Sequence, residues 1–550
     1  MADRDRLESW KEIAAYLGRE VRTVQLWEKS EGLPVHRQQH AKLGSVYAFK
    51  SELDAWRAAR KSSPVVEKRD RRPLLAIAVA LVLLAIGVAA TWYILRPRQE
   101  PIHSVVVLPF VDLSPQHDQE YFSDGLTEEI IDALSRVPNL RVVARTSAFA
   151  FKGRNSDIRQ IGKQLDVSTV LEGSVRKDGD QLRITAQLNR VSDGTHLWSR
   201  TYDQQLRNIF EVQRQISQAI ADQLRAGQVP VREPPHDFEA WRLYQQGRYF
   251  FNQFQPPESN NKAIERYQEA IQRDPNFALA YSGLADAYAY LAENFVVAPR
   301  EVMPKAKAAA EKAVELDPNS AEAHTSLGTV RLDYDRDREG AQREFQRALE
   351  LNPGLGWARH WYGHALESQN RVEEGLQQMR QALELDPLNI AVSWDVGNDL
   401  MTLKRYDEAI QHLKKAQELF PMVGVIDYML GEALVRKGDI AAADQVVQAM
   451  KKNSPEEMKE PMFVAFNGAM DAHEGRQTQA LAALKELEQR RTKEYVEPFP
   501  LITLCAALHD RQCLDLWLKR LDEERSTLYV YKDMFMPYYL DEVGGKSSKQ

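Results

Sequence analysis

Arg22, Thr23 and Gln25 lie within four residues of one another in the segment VRTVQLWEK, with Arg19 and Lys29 at its flanks. Arg and Gln are the side chains that read base edges, and Lys and Arg neutralise phosphates. His36, Arg37 and Lys42 follow closely and extend the same basic character. Far along the chain, His360 and His364 are spaced i, i+4, which puts two imidazoles on one helix face where they could hold a metal ion. No Glu or Cys at ligand spacing completes that site, so no metal and no cofactor is expected. Cys505 and Cys513 are the only cysteines. Eight residues apart, they suit either two buried free thiols or one disulfide, with free thiols preferred. Asp112, Asp118, Asp124, Glu128 and Glu129 gather carboxylates in one stretch. The adjacent Glu128 and Glu129 point about 100° apart on a helix and cannot face each other as an acid–base pair. Asp124 with Thr127 reads as a helix start. The sequence has no HExxH, phosphate-loop or Ser/His/Asp pattern, and catalysis is not expected.

The elements that must position these residues are legible. Ser9 followed by Glu12 is a capping box. Ile13, Ala14 and Leu17 then give an apolar helical stripe that stops at Gly18. A second helix is predicted over Val21–Lys29, with Val24 and Trp27 inward. A strand follows at 44–49, then a third helix from Ser51 with Leu53 and Trp56 inward. Two short helices joined by a tight turn form a helix-turn-helix pattern. The phrase GREVRTVQLWEKSEGLP resembles the MerR/excisionase-type winged helix over about residues 9–60. The resemblance implies that helix 21–29 enters the major groove. Arg22, Thr23 and Gln25 would face DNA, Arg19 and Lys29 would lie near phosphates, and His36, Arg37 and Lys42 would lie on the wing.

Residues 1–63 are thus assigned as a winged helix-turn-helix DNA-binding domain and 64–72 as a basic linker. Residues 1–72 hold 16 Lys and Arg against 11 Asp and Glu, a net of +5 that leaves −12 on the rest of a 550-residue chain. Residues 74–95, LLAIAVALVLLAIGVAATWYIL, carry no charge. As a helix they would span roughly 33 Å, enough for a bilayer core of about 30 Å. A transmembrane helix is assigned to 73–96. Arg57, Arg60, Lys61, Lys68, Arg69, Arg71 and Arg72 precede it, whereas only Arg96 and Arg98 follow closely, which favours a cytoplasmic amino terminus.

Beyond the span, Val105–Leu108 and Arg141–Ala144 read as strands, and Glu120–Val137, Ile158–Leu165 and Ile209–Leu224 as helices. Leu182, Ile184, Ala186 and Leu188 alternate with polar residues as in a half-buried strand within a meander at about 168–202. The phrases VVVLPFVDLS, EYFSDGLTEEI, RVVARTSAFAFKG and VLEGSVRKDGDQLRITAQL resemble the N-terminal domain of TolB and FlgO-like domains. This implies an α/β interaction domain over 103–226, outside the inner membrane. A Pro-rich linker is assigned to 227–237.

Prolines then recur at 275, 318, 353, 387, 421 and 455, at intervals of 43, 35, 34, 34 and 34 residues. A 34-residue period is that of the tetratricopeptide (TPR) repeat, a helix-turn-helix unit. The longer interval places an insertion near Asn294–Pro299, and helices at 498–525 would form a capping unit. The TPR array is assigned to 238–525 and a C-terminal tail to 526–550. Such arrays resemble protein-binding solenoids, in which the first helix of each unit lines a groove. By register, Trp357, His360, His364, Trp394, Asn398, Tyr428 and Glu432 would line it, either to hold a protein or peptide or to pack between repeats.

The fold expected is multidomain and mainly α: a winged helix-turn-helix, one transmembrane helix, an α/β domain and an α-solenoid. The organisation resembles ToxR/CadC-type membrane-tethered regulators. The expected protein is single-pass in the bacterial inner membrane with periplasmic C-terminal domains and no enzymatic activity, and its expected partners are DNA, the membrane, a protein or peptide, and a second copy of the chain. The alternative is an envelope scaffold with no direct role on DNA.

Overall fold

The computed structural model describes residues 5–38, 45–61, 104–115, 119–154, 156–230, 236–253, 257–421 and 423–544. The apolar segment 74–95 and the wing residue Lys42 lie outside the described residues, as does Asp118. Among the described residues no helix is long and apolar enough to cross a membrane. The chain divides into two compact units, Met1–Arg98 and Gln99–Gln550.

In the first unit, β1 (Arg6–Leu7) precedes α1 (Trp10–Leu17) and α2 (Val21–Glu31). The backbone N–H of Glu12 donates to Ser9 Oγ, and the Glu12 carboxylate reaches back to the N–H of Glu8, so the expected cap forms. Gly18 closes α1 at φ +65°, a conformation open to glycine without strain, and the chain turns into α2 within three residues. β2 (His36–Gln38) and β3 (Ser45–Phe49) form an antiparallel ribbon to which β1 adds, in the order β1-β3-β2. α3 (Lys50–Lys61) completes the unit. Ile13, Ala14, Leu17, Val24, Leu33, Ala48 and Leu53 make its core, with Trp27 and Trp56 half-buried beside it at 5.5 Å between ring centroids.

The second unit opens with a mixed sheet, β4 (Ser104–Val107), β5 (Val111–Asp112), β6 (Arg141–Val142), β7 (Thr169–Asp178), β8 (Gln181–Arg190) and β9 (His196–Gln205), in the order β6-β4-β7-β8-β9 with β5 also on β7. β4 runs parallel to β6 and β7, and its Val105, Val106 and Val107 are all fully buried, as a strand covered on both faces requires. β7, β8 and β9 are the expected antiparallel meander. α4 (Glu120–Ser135), α5 (Arg145–Phe149), α6 (Ile158–Leu165) and α7 (Ile209–Gln223) cover the sheet. The carboxylates of this region hold structure together. Asp112 accepts from the N–H of Ser114 and of Gln119, Asp124 pairs with Lys152 at 2.6 Å, and Glu128 is buried between Arg145 and Arg248. Asp124 lies inside α4 and does not start it. Thr127 accepts from the N–H of Phe110 and donates to the carbonyl of Ser123.

Eight helix pairs follow among the described residues. The first four are α8/α9 (Phe238–Phe251, Pro257–Arg273), α10/α11 (Ala278–Glu293, Pro299–Leu316), α12/α13 (Ala321–Val330, Arg338–Leu351) and α14/α15 (Gly356–Glu367, Val372–Leu385). Then come α16/α17 (Ile390–Thr402, Tyr406–Leu419), α18/α19 (Gly424–Lys437, Ile440–Asn453), α20/α21 (Pro461–His473, Gln477–Arg490) and α22/α23 (Pro498–Ala507, Arg511–Glu523). The insertion is absorbed as helix: α11 has 18 residues where α15 has 14. Small residues at the crossings are required by contact, since a Cβ on Gly397 would meet the Leu413 side chain at 2.8 Å.

Three expectations need correction. The α/β layer is not a separate module on a linker; it is docked on the array. Asp386, in the loop after α15, accepts from both the N–H (2.9 Å) and the hydroxyl (2.5 Å) of Ser147. Asn352 donates to Ser135 at 3.0 Å, and a Cβ on Gly354 would lie 2.5 Å from the Ser135 carbonyl oxygen. The start of the expected linker is pinned too, with the N–H of Val229 donating to Gln218. Second, the expected tail is structured over Thr527–Val543, as a 3-10 turn followed by α24 (Lys532–Val543). Third, Cys505 and Cys513 are joined in a disulfide with Cα atoms 5.5 Å apart, because the turn between α22 and α23 brings the two helices together there.

Candidate DNA-facing helix and candidate partner groove

α2 presents one exposed face. Arg22 and Lys29 are exposed on it, Arg19 is exposed in the turn before it, and the side chain between them is Leu26, 62% exposed. Positions 22, 26 and 29 share a helix face by the i, i+4, i+7 rule. Thr23 and Gln25 are half-buried at the margins of that face. A large apolar side chain between two cations suits a surface that meets a thymine methyl between phosphates. Sequence reasoning passed over Leu26; its apolar character inside a basic helix was the available signal. His36 and Arg37 lie on β2, where Arg37 pairs with Glu28 at 2.8 Å and the His36 ring meets Glu52 at 2.7 Å. Both are therefore engaged within the unit, and Arg19, Arg22 and Lys29 carry the outward charge.

The residues expected to line the groove divide into covered and open ones. His360 is 4% and Tyr428 5% exposed, and Glu432 is buried beside Arg436. Trp394 stacks on Tyr428 at 5.6 Å, and Tyr428 meets Phe466 edge-on at 5.0 Å. Asn398 is half-buried. Trp357 is 44% exposed and stands edge-on to Trp361.

What covers this face is the chain's own carboxyl-terminal segment. Val530 packs with Leu332, Phe345 and Trp361, and its carbonyl accepts from Arg338. Tyr531 stands edge-on to His364 at 5.5 Å. Arg436 lies 4.3 Å above the Tyr538 ring, the Tyr539 hydroxyl is 3.3 Å from that of Thr503, and Glu542 reaches His473 at 3.3 Å. The segment thus lies against the third pair, at Leu332 and α13, and along the first helices of the fourth, sixth, seventh and eighth pairs. Its aromatic density, from Tyr529 to Tyr539, was the sequence signal for it.

Beneath Tyr531 is a polar cluster that local spacing did not reveal. His360 Nε2 donates to Asp395 Oδ2 at 2.6 Å, and His364 Nε2 lies 3.4 Å from the same oxygen. The ligand atoms of these three residues all fall within 4.8 Å of one another. Asp395 comes from α16, one repeat on. A Glu does sit three residues after His364: Glu367 accepts from the far ring nitrogen, Nδ1, at 2.8 Å. Asp399 lies behind them at 0% exposure. Burial pushes the Asp399 carboxyl well above the usual carboxylate range, with Glu367 and Asp395 adding to it. Burial opposes the His364 imidazolium, yet Glu367 and Asp395 hold its pKa well above the ordinary value. Burial likewise opposes the charge on Asp395, but the His364 and His360 rings hold that carboxyl far below its usual range. His360 is depressed, chiefly by burial.

Comparison with known families matches residues 258–291 to the TPR repeat and 330–390 and 395–457 to the tetratricopeptide repeat. The array is built of tetratricopeptide repeats. Two similar proteins bear on the rest. A protein assigned as adenylate cyclase 3 in Rhizobium meliloti (strain 1021) is 36% identical over 239 residues, 42% of this chain and 40% of that one. The transcriptional regulator HilA of Salmonella typhimurium is 25% identical over 305 residues, 54% of this chain and 53% of that one. The chain therefore spans about half or less of the length of these relatives. Neither alignment fits inside the first unit, so most of each lies in the second. Among solved structures, PilW, a type IV pilus biogenesis factor, is 17% identical, covering 40% of this chain and 96% of that one with a TM-score of 0.34.

Proposed function

We propose that the chain is a membrane-tethered one-component transcriptional regulator. Its head, of winged helix-turn-helix type, binds DNA through α2. Its TolB-like α/β layer and its TPR array together bind a protein or peptide on the other side of the membrane. The observation that carries this reading is the exposed face of α2, with Arg22, Leu26 and Lys29 exposed on it and Arg19 exposed in the turn before it. The similarity to the regulator HilA supports it. The charge-free stretch 74–95 supplies the tether, with the basic flank before it in the cytoplasm. The Cys505–Cys513 disulfide supports an oxidising compartment for the array. No reaction is assigned to the chain.

Residues 1–63 carry a net charge of only +3, so a single head binds weakly and a dimer is the working unit. The test is selection of genomic fragments by residues 1–63, alone and artificially dimerised, with salt varied. A sequence-preferring complex that weakens with salt is expected. Absence of any such complex from the dimerised fragment would leave the scaffold reading in its place.

A further inference from the structure

We propose that His360, His364 and Asp395 form a binding site for a divalent transition-metal ion of the zinc class, bridging the first helices of the fourth and fifth repeats. Two imidazole nitrogens and one carboxylate oxygen are the donor set that such ions take.

The geometry argues for it in three ways. The two Nε2 atoms converge on one oxygen of Asp395, at 2.6 and 3.4 Å. Tetrahedral ligands about 2.0–2.2 Å from zinc stand roughly 3.3 Å apart, so the His364–Asp395 separation already fits and the His360 ring needs to draw back from Asp395 by about 0.7 Å. Second is the shell behind the ligands. His364 turns Nδ1 to Glu367 at 2.8 Å, which fixes the ring with Nε2 toward Asp395; a carboxylate behind a ligating histidine is how metal sites orient and strengthen their imidazoles. The third is unsatisfied polarity. His360 Nδ1, Glu367 Oε1 and both oxygens of Asp399 are buried without an N–H or hydroxyl partner. Buried charge is costly unless paired, and a divalent ion held by two neutral imidazoles and Asp395 would set two positive charges beside the neighbouring carboxylates. Trp357 and Tyr531 flank the site, Trp357 with its ring 5.0 Å from that of His360 and Tyr531 with its ring 5.5 Å from that of His364.

The rival arrangement is a metal-free cluster in which Glu367 and Asp399 share a proton. The experiment uses the full chain, purified without a histidine tag, stripped with chelator and titrated with Zn2+ against a chromophoric competitor. One tight equivalent is expected in the wild type. The double variant His360→Ala/His364→Ala should lose it, and Asp395→Asn should weaken binding at least tenfold. As a readout independent of variant folding, Co2+ added to the stripped wild type should give the intense visible bands of a tetrahedral site. Uptake no greater than one weak, adventitious equivalent, equal uptake by the double variant, or a Co2+ spectrum of octahedral type would each overturn the assignment.

Discussion

Two helices of similar length stand out by their polar chemistry, α2 in the head and α14 in the array, and they end in opposite situations. Among the described residues, α2 sits at the edge of a small three-helix head and keeps one face exposed, so far that Leu26 is 62% exposed. α14 lies inside a solenoid, has neighbours on both sides, and is crossed by the chain's own residues 527–531. Its His360 is 4% exposed. The lesson is physical. A repeat buries each unit on the next, so polar side chains on its inner helices must find partners within the protein. A helix at the margin of a small domain has no such obligation. The same residue types therefore act as an offered surface in one place and as an internal network in the other.

Removing a member of the internal network should have the largest effect. Asp395→Ala leaves the buried His360 and His364 imidazoles without their common partner, and should destabilise the second unit by about 3–5 kcal/mol. Urea unfolding of the second unit would check this, and a loss within experimental scatter would mean that α14 is as open as α2.

Next is the anchor of the covering segment. Glu497 is 2% exposed and bonded to Ser526, the residue that caps the 3-10 turn, and to the hydroxyl of Tyr495. Burial pushes its carboxyl up to about 7, against the hydrogen bonds from Ser526 and Tyr495. A raised folded-state pKa on an acid means that the folded chain binds more protons than the unfolded one between the two values. Stability from this group is thus greater at lower pH and falls as pH rises through about 7. Comparing wild type with Glu497→Gln at about pH 5 and about pH 8, the difference in their stabilities should change by on the order of 2–3 kcal/mol. A difference independent of pH would show that Glu497 is ionised throughout.

Asp386→Ala strands the buried N–H and hydroxyl of Ser147 where the α/β layer meets the array. It should cost about 2 kcal/mol. It should also raise amide exchange at 144–148 first. Unchanged exchange there would mean that the two layers do not depend on this contact.

The elements were largely legible. Period-two alternation in β8 and the 34-residue proline spacing predicted the meander and the helix pairs, because both follow from one strand or one unit at a time. What escaped is what depends on distant residues meeting. Asp395 completes the histidine cluster from 31 positions after His364, and Ser147 meets Asp386 across 239. The segment 527–543 carries Pro537 and lacks a clean apolar stripe, so it read as a tail; its aromatics gain their meaning from the groove they fill. The head's face was legible in part: Arg22 and Lys29 stand out by charge, whereas Arg37 became an internal partner of Glu28 only through the fold of β2 onto α2.

The smallest effect on stability, and the most direct test of the regulator reading, belongs to α2. Arg22→Ala with Lys29→Ala should change the stability of the head by no more than about 0.5 kcal/mol, since neither side chain is buried. The measurement is the salt dependence of DNA binding by the full chain and by this variant on a selected genomic fragment. Weaker binding is expected, with the slope of log affinity against log salt smaller by about one for each phosphate-neutralising cation removed. Equal affinity and equal slope in the two proteins would contradict it.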